Sequence, residues 1–194
     1  MNTPTPPASG TRTPDASCPA SFNPTARVLH WLMAPLVIAM LFIGAGMVAS
    51  VSARPWLIDL HRPLGIAILL LAVLRLCNRL RHRPPALPST LPRWQKRAAR
   101  ASHWLLYGLM LAMPVIGWAM LSAGGYPVQM SPSLVLPPIL PQDVVLYAAL
   151  RAAHGWLAYL LFATILLHVS AALMHAWVHR DGVFGTMLGR RGSS

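Results

Sequence analysis

Residues 151–179, RAAHGWLAYLLFATILLHVSAALMHAWVH, are apolar enough to cross a bilayer, contain no Asp, Glu or Lys, and yet carry histidines at 154, 168 and 175. An ionisable side chain within a membrane span is costly, so it faces the bundle interior and marks a pathway or a site. A helix turns about 100° and rises about 1.5 Å per residue, so the step from His154 to His168 leaves them about 40° apart around the axis and about 21 Å apart along it. His175 follows nearly in line, two turns further on. One helix face therefore presents imidazoles at two depths, as the wall of two stacked cofactor sites would.

Composition limits what those sites can serve. With 55% hydrophobic residues and a mean hydropathy of +0.52, the chain is too apolar for an ordinary soluble domain. A net charge of +12 against four acidic residues invites a nucleic-acid reading. Most of the arginines, however, lie in short segments flanking apolar runs, which is how orientation in a membrane is written rather than phosphate binding. Cys18 and Cys77 form neither a CxxC nor a CxxCH pattern, so no thiol redox pair and no covalent haem attachment is signalled.

The chain reads as one all-α integral membrane domain over 22–180, a four-helix bundle with helices near 26–50, 59–80, 101–122 and 146–178. Residues 1–21, rich in Pro, Thr, Ser and Ala, read as a disordered tail without an export signal. The first helix is capped by Asn23 or Thr25 and carries His30 at its start. The second is the weakest by hydropathy, since only 63–74 is uncharged. It spans if Arg62 and Arg75 reach for the interfaces or meet anionic groups, with His61 at its beginning. The third opens with His103, holds Pro114, which a membrane helix tolerates as a kink, and ends at Gly124 and Gly125. Five prolines interrupt 123–145, which predicts an interfacial cap rather than a crossing. A short basic tail follows over 181–194.

Thirteen of the sixteen Lys and Arg fall on the side of the two termini and the second loop, which places that side in the cytoplasm. His30 opens helix one from there, and His168 lies deep along helix four as it returns, so the two share the inner half. His61 and His154 open helices two and four from the outer face and share the outer half. Two histidine pairs at two depths suit two non-covalent b haems, pairs His30/His168 and His61/His154. Two axial imidazoles leave iron no open position, which favours electron transfer. Zinc or copper fits less well, because no carboxylate or thiolate accompanies the set.

Anionic propionates would find Arg27, Arg75 and Arg100 inside, and Arg62 and Arg151 outside, although each of these also serves as a topology signal. His103 shares the depth of His30 and is an alternative ligand. His82 and His179 sit among polar groups as interfacial residues, and the tryptophans fall near membrane boundaries, where anchoring suffices. His175, one or two turns closer to the cytoplasm than His168, reads as a proton or quinone partner.

RVLHWL, DLHRPLGI followed by LRLCNRLRHRPP, HWLLYGLMLAMPVIGW and AAHGWLAYLLFATILLHVSAALMHAWVHRDGVFGTML together resemble the bacterial cytochrome b561 family over about 22–190. The resemblance implies a bacterial inner-membrane, four-helix cytochrome with two b haems. It further implies superoxide oxidation at the outer face and ubiquinone reduction, with His30, His61, His154 and His168 as ligands and His175 near the quinone. Lys96 or Arg93 stands where the family has a lysine-bearing loop. Arg62 beside His61 and Arg151 near His154 would draw a small anion such as superoxide. The alternative is a relay subunit passing electrons for a partner redox protein, a dehydrogenase or hydrogenase, since a fold does not dictate its reaction.

Overall fold

The structure is a computed structural model describing residues 22–82, 84–87 and 91–188; the expected disordered tail over 1–21 and the end of the basic tail lie outside these. Four helices are long and apolar enough to cross a membrane. They are α1 (Pro24–Ala49), α2 (Arg54–Arg81), α3 (Arg93–Ala123) and α4 (Val144–Met174). A π-helical turn, His175–His179, follows α4, and a short helix α5 (Val183–Leu188) lies within the segment read as a tail.

The helix starts show what hydropathy leaves out. Asn23, not Thr25, caps α1: its Oδ1 accepts the Ala26 backbone N–H at 2.7 Å, and Pro24 fills a first-turn position that needs no donor. The expected second and third spans begin at 59 and 101, but α2 starts at Arg54 and α3 at Arg93. The difference has a simple cause. Hydropathy marks the bilayer edge, whereas the arginine, lysine, glutamine and alanine of RWQKRAAR continue α3 into water, and α2 gains the turn RPWLI because Pro55 fits a first-turn position that needs no donor. Asp143 caps α4 by accepting the Leu146 N–H at 2.9 Å.

The proline-rich cap is the exception to an all-helical chain. It holds an antiparallel hairpin, β1 (Val128–Ser131) and β2 (Leu134–Leu136), with an irregularity between Gln129 and Ser131. Gly125, at φ +71°, makes the turn out of α3 in a conformation other residues rarely adopt. Hydrogen bonds from along the cap bind it to the end of α3. Trp118 Nε1 donates to the Pro137 carbonyl at 2.9 Å, the Ile139 N–H donates to Ser122 Oγ at 3.1 Å, and the Asp143 N–H donates to the Ala123 carbonyl at 2.9 Å.

The bundle thus has two unlike ends, a hairpin end and a termini end where α1 begins and α4 finishes. α1 packs closely on α2, α2 on α3, and α3 on α4, whereas α1 and α4 make no comparably close backbone approach among the described residues. Side chains span that side, among them the His30 and His168 rings and Val37 and Leu161. The buried centre of the bundle is a layer of Val37, Ile68, Leu109 and Leu161, one residue from each spanning helix. Outward-facing Phe42, Val48, Leu70 and Leu167 are exposed, as lipid-facing side chains of a membrane bundle should be.

Candidate haem sites

Three of the four core residues stand two turns from a histidine, and Leu161 stands two turns from two of them. Val37 follows His30 by seven residues, Ile68 follows His61 by seven, and Leu161 lies midway between His154 and His168. Seven residues of helix rise about 10 Å, so the apolar layer separates an upper and a lower histidine level.

The structure brings the expected pairs together. The His30 and His168 ring centroids lie 6.4 Å apart, and those of His61 and His154 lie 6.2 Å apart. Imidazole nitrogens bind transition metals at about 2.0–2.1 Å, and with roughly 1.1 Å more to each ring centre, two rings on opposite sides of one metal have centroids about 6.2–6.4 Å apart. Both pairs fit that spacing. His103, which also meets His168, has its centroid at 5.5 Å and is too close to share a metal across from it. His30 is therefore the better partner for His168, and His103 is a buried neighbour.

The donor set also fits haem better than a bare ion. Among the described residues, no group of three or more His, Cys, Asp or Glu converges on a metal position. A metal held by two imidazoles needs its remaining positions filled by something else, which a planar macrocycle supplies. His61 Nδ1 and His154 Nδ1 are buried without a protein hydrogen-bond partner. Gly117 lets α3 pass close to this level: a Cβ there would lie 3.3 Å from His154 Cε1.

The two levels differ in their surroundings. At the termini end a cavity of about 270 Å³ includes His30, His103, His168, Arg75, Tyr107 and Asp181 in its wall, close to the lower size limit of small-molecule sites. Arg75 Nε donates to Tyr107 Oη at 3.2 Å, and its Nη1 reaches the Ala26 carbonyl at 3.5 Å. Arg79 lies over the Trp104 and Tyr107 rings, 5.7 Å from each centroid. Of the basic residues considered from sequence, Arg75 lines this cavity; Arg93 and Lys96 lie in the first turn of α3. His175 is held from behind the wall, its Nδ1 2.6 Å from Asp181 Oδ2.

At the hairpin end a cavity of about 560 Å³ is lined by Tyr147, Arg151, Trp156 and Tyr159 and by none of the histidines. Arg62 Nε is buried without a partner next to His61. Arg151 is exposed and its Nη1 donates to Tyr147 Oη at 3.1 Å, one turn back on α4. Sequence reasoning overlooked Tyr107 and Asp181. Tyr107 carries a signal in retrospect, as a tyrosine well inside a span rather than at its edge; Asp181 carries none beyond its rarity in this chain.

A four-helix membrane bundle with facing imidazoles at two levels has the form of a membrane cytochrome b. The family profile of prokaryotic cytochrome b561 matches residues 21–190, and the chain belongs to that family. It is 34% identical over 165 residues to the probable superoxide oxidase CybB of Yersinia pestis, covering 84% of this chain and 93% of that one. It is 30% identical to cytochrome b561 homolog 2 of Escherichia coli K12 over 90% of this chain and 95% of the relative. Cytochrome b561 homolog 1 of the same organism is 28% identical over 88% and 98%. The family implies b-type haem, and the protein is a multi-pass membrane protein.

Proposed function

We propose that this chain is a dihaem superoxide oxidase of the bacterial inner membrane, taking electrons from superoxide at the hairpin end and delivering them to ubiquinone at the termini end. The observation that carries this reading is the pair of histidine levels on either side of one apolar layer. His30 and His168 would hold one b haem and His61 and His154 the other; bound there, the haems would supply one-electron carriers. In this reading the hairpin end faces outward and both termini face the cytoplasm, which the distribution of Lys and Arg supports.

The chain's own residues then divide the work. Arg62, next to His61, offers a guanidinium nitrogen that no protein group satisfies, suited to an anionic group of the cofactor or an approaching anion. Arg151 adds positive charge three residues from His154 and draws superoxide toward that level. At the other end Arg75, steadied by Tyr107 and the Ala26 carbonyl, is placed to hold a propionate. His175 serves the protons that quinone reduction consumes. The apolar layer between the levels keeps water and protons from short-circuiting them.

The test is a stopped-flow experiment on the purified holoprotein. A pulse of superoxide should reduce the haem bands within the mixing sequence, and a short-chain ubiquinone should reoxidise them. Bands that stay oxidised under superoxide but respond to a reduced partner protein would make the chain a relay subunit instead.

A further inference from the structure

Asp181 is the one acidic side chain among the described residues at the termini end, in a chain with four acidic residues altogether. Its two oxygens are both engaged. Oδ1 accepts the Val183 N–H at 3.2 Å at the entry to α5. Oδ2 meets His175 Nδ1 at 2.6 Å, with the two side chains only 15% and 16% exposed. Asp181 itself lines the cavity that contains His30 and His168, and so do Val183, Phe184 and Met187 of α5. Trp31 Nε1 donates to the Met187 carbonyl at 3.1 Å and pins α5 across that end.

The backbone that produces this contact is unusual. α4 widens into a π turn at His175–His179, a feature frequent at functional sites. Arg180 then adopts φ 49°, a left-handed conformation costly for a residue with a Cβ, and Gly182 follows at φ 75°. The chain reverses there, and Asp181 comes back onto His175. In the same turn the His175 ring lies against that of His179, with centroids 5.2 Å apart, and His179 is exposed. α5, VFGTML, contributes no titratable side chain. An exposed imidazole, a largely buried imidazole and a carboxylate thus stand in series between water and the cavity.

Resting on the reading of this cavity as the quinone site, we propose that His179, His175 and Asp181 form its proton-delivery line. Asp181, rather than His175, hands the proton to the quinone. The overall change balances as two superoxide anions, one quinone and two protons giving two dioxygen molecules and one quinol. At the cavity, the Asp181 O–H bond breaks as a quinone oxygen takes the proton. The protonated His175 ring returns a proton from Nδ1 to Oδ2 and regains one from water at His179. The carboxylate is the nearer group, and His175 is its supply.

The test compares Asp181→Asn, Asp181→Glu and His175→Gln in the holoprotein. Asparagine keeps an oxygen for the Val183 N–H and nearly the same volume, so haem content should stay at its wild-type level; it cannot carry a proton. Pre-reduced protein is mixed anaerobically with short-chain ubiquinone, while haem reoxidation and the colour of a pH indicator are followed together. A positioned acid contributes about 100-fold to 10,000-fold to such a step, so Asp181→Asn should slow reoxidation at saturating quinone by at least about 100-fold, with proton uptake slowed equally. His175→Gln should slow both less, and Asp181→Glu should recover much of the rate. Wild-type rates and proton uptake in Asp181→Asn would overturn the proposal, as would a change confined to KM or a loss of haem in that variant with normal rates in His175→Gln. A wild-type protein that quinone does not reoxidise would instead overturn the acceptor-site reading, and the proposal with it.

Discussion

At the termini end, His30 and His168 share their level with His103, Arg75, Tyr107 and Asp181 around a cavity; at the hairpin end, His61 and His154 face each other with an unpartnered Arg62 nitrogen nearby and a hairpin tied over α3. The contrast is chemical. At one end the wall of a single cavity joins the histidines to groups that hold and move protons, while at the other the carboxylates Asp59 and Asp143 are exposed and the cavity there is lined by Tyr147, Arg151 and Tyr159 but by none of the histidines. Reducing a quinone consumes protons, whereas oxidising superoxide needs only an attracted anion and an exit for an electron. An asymmetric bundle built on a nearly symmetric histidine frame is what that division of labour calls for.

The largest expected effect breaks the frame one level at a time. His154→Ala should remove one haem and leave the other, and His30→Ala should do the converse, each read from the visible spectrum and haem-to-protein ratio. His103→Ala should retain both, because the His30 spacing to His168, not that of His103, matches two axial imidazoles. Loss of haem in His103→Ala with retention in His30→Ala would exchange their roles.

The next effect sharpens the difference in charge. Joint Arg62→Gln and Arg151→Gln substitution should slow haem reduction by superoxide by about 10-fold or more at low salt. Raising the salt should slow the wild-type protein toward the variant, because steering is screened over about 8 Å at physiological ionic strength. Quinone-driven reoxidation at the other end should not change. A superoxide rate indifferent to both salt and substitution would point to a neutral or docked donor.

A smaller effect tests the tightness of the hairpin-end level. Gly117→Val should lower haem occupancy there, since even a Cβ would sit 3.3 Å from the His154 ring. Gly44→Ala, whose Cβ would lie 4.0 Å from His61 Cε1, should bind normally. Equal occupancy in the two variants would show that α3 has room to shift.

The histidine levels were legible in the sequence because helix geometry converts spacing into depth, and a charged or polar residue in an apolar run has few places to go. The starts of α2 and α3 were not. Arg93 begins α3 in a polar stretch where hydropathy is silent, and α2 begins at Arg54 through Pro55 in its first turn, a start that the charge of Asp59 masks. The β1–β2 hairpin was hidden behind five prolines, which announced an irregular cap but not its pairing. Asp181 was invisible for a different reason: its meaning comes from a chain reversal at Arg180 that places it on His175, a contact no periodicity encodes.

The smallest expected effect lies at the edge of the termini end. Asn23 caps α1 and also exchanges amide hydrogen bonds with Asn78 of α2 at 3.3 Å, tying two helices beside the cavity. Asn23→Ala should cost about 1 kcal/mol of stability, seen as a modestly lower thermal midpoint with haem content unchanged. A loss of haem would instead make this tie part of the site.

Counting haem against chain in the purified wild-type protein decides whether the two histidine levels carry two haems. Two non-covalent b haems per chain are expected, both six-coordinate by their reduced and oxidised spectra. One haem per chain, or a second with an open iron position, would contradict that.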